Sequence, residues 1–200
     1  MVTRLQATAP FPRVMEDFGA LTEALLNLVC DGGLFASGVL DGHVAGLARL
    51  RAEYPWTAAQ VSAHHDINQR NVLFDGKRLW LVDWEMAFRN DPLADLANIA
   101  NNFSEVPNVD ALVLEGWLGR SPDDDTRHHL ALMRDLHRLF SGCLLLAEFV
   151  GRREPAAELT ALTPDEFRAA IGRGELRGTP ELLVEVGKMS LVGFTAAYES

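Results

Sequence analysis

Apolar residues recur with a helical period over much of this chain. From Val14 to Leu28 they recur at intervals of three and four, which predicts a helix that ends near Asp31. A second helix is predicted over residues 38–53. Residues 62–71 show no such period, and a loop is predicted there. The first third of the chain is therefore expected to be helical and to lead into an irregular segment.

The clearest strand signal follows that segment. Two apolar runs, residues 71–74 and 77–82, flank Asp75 and Gly76. This dipeptide tolerates the positive φ angles that a tight turn requires, so the two runs are predicted to pair as a β-hairpin. One short hairpin cannot form a sheet-based domain. The expected fold class is therefore mostly α with a small β-hairpin (α+β).

Helix-start signals recur in the C-terminal half. Residues 121–125 read Ser-Pro-Asp-Asp-Asp, which combines a capping hydroxyl, a proline and carboxylates suited to the helix dipole. The helix is predicted to reach Gly151. Residues 163–166, Thr-Pro-Asp-Glu, form a capping box that opens another helix. Residues 179–181 open a last helix, which is predicted to continue past Gly187.

Composition narrows the class of protein. With 200 residues and 48% apolar content, the chain is expected to form a single domain over residues 1–200. The net charge of -10, with no basic cluster longer than the pair 152–153, argues against nucleic acid or an anionic membrane as a partner. The most apolar run, residues 139–150, is shorter than the roughly 20 residues of a membrane span. Cys30 and Cys143 are expected to be buried thiols of a cytoplasmic protein.

Candidate chemistry is concentrated in residues 64–88, which combine acidic side chains with apolar strands. A carboxylate kept from water is costly unless a cation, donor or proton compensates it. The hairpin turn folds Asp83 back beside Asn71, so that Asp66, Asn71 and Asp83 converge. A carboxylate and a carboxamide suit Mg²⁺, and Asp66 remains available as a base. This is the division of labour that phosphoryl transfer to an alcohol needs.

The order and spacing of these residues resemble a known family. The pattern His64-x-Asp66-x-x-x-x-Asn71, followed by the run 81–85 (Leu-Val-Asp-Trp-Glu), resembles the catalytic loop and metal-binding segment of the aminoglycoside phosphotransferase and choline kinase superfamily. Residues 90–97 are similar to the segment that follows in its bacterial choline/ethanolamine kinase-like branch. The resemblance covers about residues 60 to 105, with the catalytic and metal segment over about 62–97 and a helical remainder over 121–200.

The resemblance implies a role for each residue of the motif. Asp66 would be the catalytic base, and Asn71 and Asp83 would bind Mg²⁺. Leu73 and Val82 would border the base of the bound ATP. The implied fold is the C-terminal lobe of a protein-kinase-like fold.

Two further pairs of residues complete the expected site. By the resemblance, His64 supports the catalytic loop and Asp95 braces it. Trp84 and Glu85 adjoin the metal segment, and an aromatic face with a carboxylate could bind a quaternary ammonium group. They are therefore the candidate substrate-binding residues.

Two functions follow as hypotheses. The first is an ATP-dependent phosphotransferase that acts on the hydroxyl of a small cationic molecule, such as choline, ethanolamine or an aminoglycoside. The second is a non-catalytic module, derived from a kinase C-terminal lobe, that binds a cation or a partner. A His/Asp phosphohydrolase centre with His65 as a metal ligand is a third reading, although the remaining histidines are not set at ligand spacing. In relatives, the position of His65 often carries Gly or Asn.

The chain departs from the family before His64. Complete members have a nucleotide-binding lobe with a glycine-rich loop and a lysine on a strand. Here the preceding residues have a helical pattern, and the only lysines are Lys77 and Lys188. The N-terminal lobe is therefore expected to be missing. Without it, the chain is expected to have weak or no phosphotransferase activity. Self-association through the face left by that lobe is also predicted.

Overall fold

A computed structural model describes residues 1–13, 17–56 and 59–195. Within these ranges the helices and strands are, in chain order, α1 (Val2–Gln6), α2 (Phe18–Asp31), α3 (Asp41–Glu53), β1 (Val61–Ala63), β2 (Val72–Phe74), β3 (Leu79–Leu81), β4 (Phe88–Asn90), α4 (Ala94–Asn102), α5 (Val109–Leu118), α6 (Asp124–Ala147), α7 (Pro164–Gly172) and α8 (Pro180–Thr195). The prediction of a mostly helical fold with a small β part is confirmed. Val14, where the first predicted helix began, lies outside the described residues.

The chain divides into two compact units. The first comprises Met1–Phe18 and Tyr54–His137, and the second comprises Gly19–Glu53 and the chain from Arg138. The expectation of a single domain over residues 1–200 stays a prediction. None of the helices in the described ranges is long and apolar enough to cross a membrane.

The predicted β-hairpin is confirmed, and a second strand pair accompanies it. Strands β2 and β3 pair antiparallel, and Gly76 in the turn between them has a φ of +90°. Strands β1 and β4 also pair antiparallel, with Ala63 opposite Phe88. The loop predicted over residues 62–71 is therefore wrong at its start. A three-residue strand is too short to show a period, and its partner lies far along the chain.

The helix ends differ in part from the predicted ones. The capping box of Thr163 is present and opens α7, and α8 continues past Gly187 as predicted. Helix α6, however, begins at Asp124 rather than at Pro122, the first position expected after a Ser121 cap. Asp123 takes the cap, because its Oδ1 accepts the Thr126 backbone N–H at 2.9 Å and the Thr126 hydroxyl at 2.6 Å. The helix ends at Ala147, before the predicted end.

The first unit buries apolar side chains from β4, the loop after β1, and helices α4 to α6. The N-terminal segment crosses the β1/β4 pair. The Phe11 backbone N–H donates to Ser62 Oγ at 3.1 Å, and the Arg89 N–H donates to the Arg13 carbonyl at 2.8 Å. The core side chains of this unit include Phe18, Ala63, Ile67, Phe88, Leu93, Leu96, Leu114, Leu130, Met133 and Leu136.

In the second unit, α6 and α8 approach closely at two glycines. A Cβ built on Gly142 would lie 3.0 Å from the Gly187 carbonyl oxygen and 2.9 Å from Leu191. A Cβ on Gly187 would lie 3.2 Å from the Gly142 carbonyl oxygen and 2.8 Å from Leu146. Each helix therefore depends on the absence of a side chain at the glycine of the other.

We expect Gly142→Ala and Gly187→Ala each to lower the free energy of unfolding by about 1–3 kcal/mol, because the added methyl group meets backbone as well as a leucine. Urea unfolding monitored by circular dichroism would measure the loss. Gly42→Ala in α3 is the control, because nothing lies within 4 Å of the added Cβ. A Gly142→Ala protein as stable as this control would contradict the close approach.

Candidate active site

The loop that follows β1 is fixed by a buried carboxylate on α4. Both oxygens of Asp95 accept the His64 backbone N–H at 3.0 Å, and Oδ1 also accepts the His65 N–H at 2.9 Å. Asp95 is fully buried. Burial raises its pKa above the ordinary value, and the N–H groups of His65 and His64 oppose that rise.

The next turns of α4 continue this support. Asn98 Oδ1 accepts the Ile67 backbone N–H at 2.5 Å, and Asn102 Nδ2 donates to the Ile67 carbonyl at 3.3 Å. Asp95, Asn98 and Asn102 share one face of the helix through their spacing. The backbone on both sides of Asp66 is therefore tied to one rigid element. The sequence did not lead to a prediction of Asn98 as a loop-supporting residue, although its helical spacing from Asp95 could have indicated that role.

The His64 ring joins this loop to the end of the hairpin. Its Nδ1 accepts the Asp66 backbone N–H at 3.3 Å, so the proton lies on Nε2, which donates to the Val82 carbonyl at 3.0 Å. The ring is buried. His64 therefore sets the distance between the loop that carries Asp66 and the strand end that carries Asp83.

The Asp66 carboxylate is oriented by two amides. Asn68 Nδ2 donates to Oδ1 at 2.7 Å, and Asn71 Nδ2 donates to Oδ2 at 2.6 Å and to the Asp66 carbonyl at 3.0 Å. Within the described chain, Asn71 Oδ1 accepts no hydrogen bond. That oxygen is thus available as a ligand on the side of Asn71 away from Asp66. Asn68 is a contact that the sequence analysis missed.

The hairpin brings Asp83 next to Asn71, as the sequence predicted for its strand. The Val82 N–H donates to the Asn71 carbonyl at 3.1 Å, and Asp83 follows directly. Asp83 is exposed and has a φ of 64°, a left-handed conformation that costs a residue with a Cβ about 1–2 kcal/mol. Strained residues of this kind concentrate at functional sites, which makes this turn a candidate ligand position.

One face of the hairpin lies next to these groups. Leu73 pairs with Trp80 across the hairpin, and Asn71 lies opposite Val82. Side chains two residues apart share a face of a strand, so Leu73 and Val82 lie on the same face as Asn71. Leu73 is half-exposed, and Val82 is partly buried. This face is apolar and open beside the candidate ligand oxygen.

Trp84 and Glu85 extend the site toward the N-terminal segment. The Trp84 ring meets His64 edge-on at 4.6 Å and Phe11 at 6.2 Å, and its Nε1 donates to the Leu81 carbonyl at 3.0 Å. About half of Trp84 stays exposed. The Glu85 side chain is exposed, and its carbonyl accepts a hydrogen bond from Arg13 at 3.2 Å. No sequence signal connected residues 11–13 with this site.

A histidine-based metal centre has no ligand set in the part of the chain described. Across residues 1–13, 17–56 and 59–195, no three His, Cys, Asp or Glu side chains gather so as to hold a metal ion. His65, the expected first ligand of such a centre, has its ring buried and stacked on Phe88 at 3.9 Å. The phosphohydrolase interpretation therefore gains no structural basis here.

Residues 3–133 match the model of the phosphotransferase enzyme family. The chain belongs to this family. The matched range contains every candidate site residue, and it confirms the superfamily to which the motif pointed. A search of curated proteins finds no match.

Solved structures show the fold of this phosphotransferase-family chain. A choline/ethanolamine kinase family protein from Mesorhizobium loti superimposes with a TM-score of 0.68 at 18% identity, covering 100% of this chain and 59% of its own. An ethanolamine kinase from Plasmodium vivax gives 0.59 at 11% identity, covering 98% and 56%. LicA in complex with AMP gives 0.56 at 18% identity, covering 96% and 60%. The chain thus spans less than two thirds of the length of these proteins, and the likeness is one of fold.

We expect Asp95→Ala in this phosphotransferase-family chain to lower the free energy of unfolding by about 3 kcal/mol, because two buried N–H groups lose a charged acceptor. Chemical denaturation at pH 7 would measure it. Asp124→Ala is the control. Its carboxylate is fully exposed and forms a surface ion pair with Arg127, and such pairs contribute about 1 kcal/mol or less. Equal losses in the two variants would contradict the bracing role of Asp95.

The buried His137 gives stability a pH dependence. Burial lowers its pKa to about 4, whereas an unfolded histidine titrates near about 6.5. As the pH falls through this interval the unfolded chain binds the proton first, so stability is lost by on the order of 1 kcal/mol per pH unit. We expect His137→Leu to reduce this slope between pH 6.5 and 4 in urea titrations. Equal slopes in the two proteins would count against the buried neutral ring.

Proposed function

We propose that this chain is the catalytic lobe of a small-molecule kinase, which transfers a phosphate from ATP to the hydroxyl of a small cationic alcohol. One observation carries the proposal: the Asn71 amide donates its N–H to the Asp66 carboxylate while its Oδ1 accepts no hydrogen bond from the described chain, next to Asp83. A base and an oxygen ligand set are thereby joined in one arrangement. This is the pairing that phosphoryl transfer to an alcohol requires.

Asp66 has the role of catalytic base. Its carboxylate is partly exposed, and the Asn68 and Asn71 amides hold it in one orientation. A hydroxyl that approaches its open side can donate its proton as the oxygen attacks the phosphate. His64 and Asp95 support this geometry through the loop backbone. Because little covalent chemistry falls to the protein in this reaction, such positioning supplies much of the catalysis.

Asn71 and Asp83 fit a magnesium site. A carboxylate and a carboxamide oxygen form the hard-oxygen set that Mg²⁺ accepts, with its other positions left to water and phosphate oxygens. When bound by these residues, the ion would neutralise part of the phosphate charge. The left-handed turn at Asp83 keeps that carboxylate exposed beside Asn71. Leu73 and Val82 supply the apolar surface against which the nucleotide base lies.

The remaining contacts to the nucleotide come from outside this lobe. The whole of this chain aligns with the Mesorhizobium loti protein, but the alignment covers only 59% of that protein's length. That proportion supports the proposal that residues 1–200 form the C-terminal lobe of a kinase-like fold. The weak or absent activity expected of the chain, its self-association and its cytoplasmic location remain predictions.

The substrate class follows from Trp84 and Glu85. An exposed indole face beside a carboxylate attracts an ammonium group, while the net charge of -10 favours cations in general. The structural neighbours named as choline/ethanolamine or ethanolamine kinases support an amino alcohol as acceptor. An aminoglycoside offers the same ammonium and hydroxyl chemistry in a larger molecule.

The test is a titration of the whole chain with Mg²⁺-ATP in a calorimeter, together with phosphate transfer from ATP to choline, ethanolamine and an aminoglycoside. We expect Asp66→Ala to reduce transfer by about 10²–10⁴-fold while Mg²⁺-ATP still binds. Asp83→Ala should weaken Mg²⁺-ATP binding as well. Asp165→Asn, an exposed carboxylate on α7, is the control for charge loss.

The outcomes separate the two functions. Unchanged phosphate transfer by the Asp66→Ala protein would contradict the assignment of Asp66 as the catalytic base. Binding of choline alone, without nucleotide binding or transfer, would favour the cation-binding module instead.

A further inference from the structure

Two features of His65 are each unfavourable to the free energy of folding. Its φ of 64° is left-handed, which costs a residue with a Cβ about 1–2 kcal/mol. Its ring is 4% exposed, and neither ring nitrogen has a hydrogen-bond partner within the described chain. A buried polar group without a partner costs about 1–3 kcal/mol more. Glycine would adopt the same turn without either cost, so the turn alone does not explain a histidine here.

The imidazole ring of His65 is packed face to face against an aromatic ring. It stacks on the Phe88 ring with centroids 3.9 Å apart and planes 19° from parallel, and the Phe18 ring lies 5.9 Å away. Burial lowers the pKa of His65 well below its usual range, so the ring is neutral at pH 7. Phe88 belongs to β4, and its ring also contacts the Arg13 guanidinium at 5.7 Å. The ring of His65 is thus attached to the sheet.

The backbone of His65 is attached to a different element. Its N–H donates to Asp95 on α4 at 2.9 Å, and the next residue, Asp66, returns its own N–H to the His64 ring. With the N–H held by a helix and the ring held by a strand, rotation about the N–Cα bond of His65 would break one of the two contacts, so the left-handed φ is fixed. That φ sets the direction in which the chain continues into Asp66.

We propose that His65 is a positioning residue for Asp66: its ring, stacked on Phe88, locks the left-handed turn that directs the Asp66 carboxylate onto the Asn68 and Asn71 amides. The importance of that carboxylate rests on the proposed function, but the positioning itself does not. The strain and the unpartnered nitrogens are then the cost of a fixed orientation.

Two substitutions separate the ring from the backbone. His65→Gly keeps the turn, relieves its strain and removes the ring. His65→Phe keeps a ring of similar shape for Phe88 and removes only nitrogens that have no partner. A backbone role alone predicts that the glycine protein is at least as well ordered as the wild type. Positioning by the ring predicts that it is worse and that phenylalanine restores the order.

The readout is the ¹⁵N NMR signal of the Asn71 side-chain amide, because this group donates to Asp66 at 2.6 Å. An Asn71→Ser protein identifies the signal. In His65→Gly we expect the signal to shift and its protons to exchange with water at least ten times faster, whereas His65→Phe retains the wild-type values. His43→Ala is the control, since it removes another buried imidazole, one stacked on Phe194 in the second unit, and should leave the signal unchanged.

The outcomes decide between the readings. A wild-type Asn71 signal in His65→Gly would overturn the proposal, and so would a His65→Phe protein that behaves like His65→Gly. If the chain transfers phosphate, His65→Gly should lower kcat more than it changes KM for ATP. A wild type that neither binds Mg²⁺-ATP nor transfers phosphate would contradict the proposed function, while the NMR comparison would still decide the role of His65.

Discussion

The candidate site depends on one buried carboxylate. Asp95 accepts the backbone N–H groups of His64 and His65, which holds the end of β1 and the start of the loop against α4. The orientation of Asp66 and the link from His64 to the hairpin both begin from this anchor. A buried carboxylate is tolerable there because it receives several backbone donors at once. The site is therefore built on a helix rather than on the loop alone.

Local patterns predicted the parts of the fold that are decided locally. The capping box at Thr163 needs only four consecutive residues, and the β2/β3 hairpin needs only a turn dipeptide between two apolar runs. The β1/β4 pair was missed because each strand has three residues and its pairing is decided by distant neighbours. The start of α6 was misplaced because Asp123 competes with Ser121 for the same capping role, and sequence alone does not rank them.

The candidate site, too, was predictable only where it depends on local sequence. The motif indicated which residues converge, since the hairpin turn determines that Asp83 returns beside Asn71. It could not indicate how the Asn71 amide is oriented, which is decided by the competition between Asp66 and solvent for its N–H group. Nor could it indicate the contacts of Phe11 and Arg13, because the path of the N-terminal segment over β4 depends on tertiary packing.

The side chain of Asn71 has a further consequence. An amide group is planar and rigid, so the hydrogen bond from its nitrogen to Asp66 determines where its oxygen points. Under the proposed roles, the rigid Asn71 amide therefore links the carboxylate that removes a proton to the oxygen that holds the metal. A rearrangement of the loop backbone that turns Asp66 away therefore also withdraws the ligand oxygen, whereas removal of the carboxylate alone leaves the Asn71 N–H bonded to the carbonyl of residue 66.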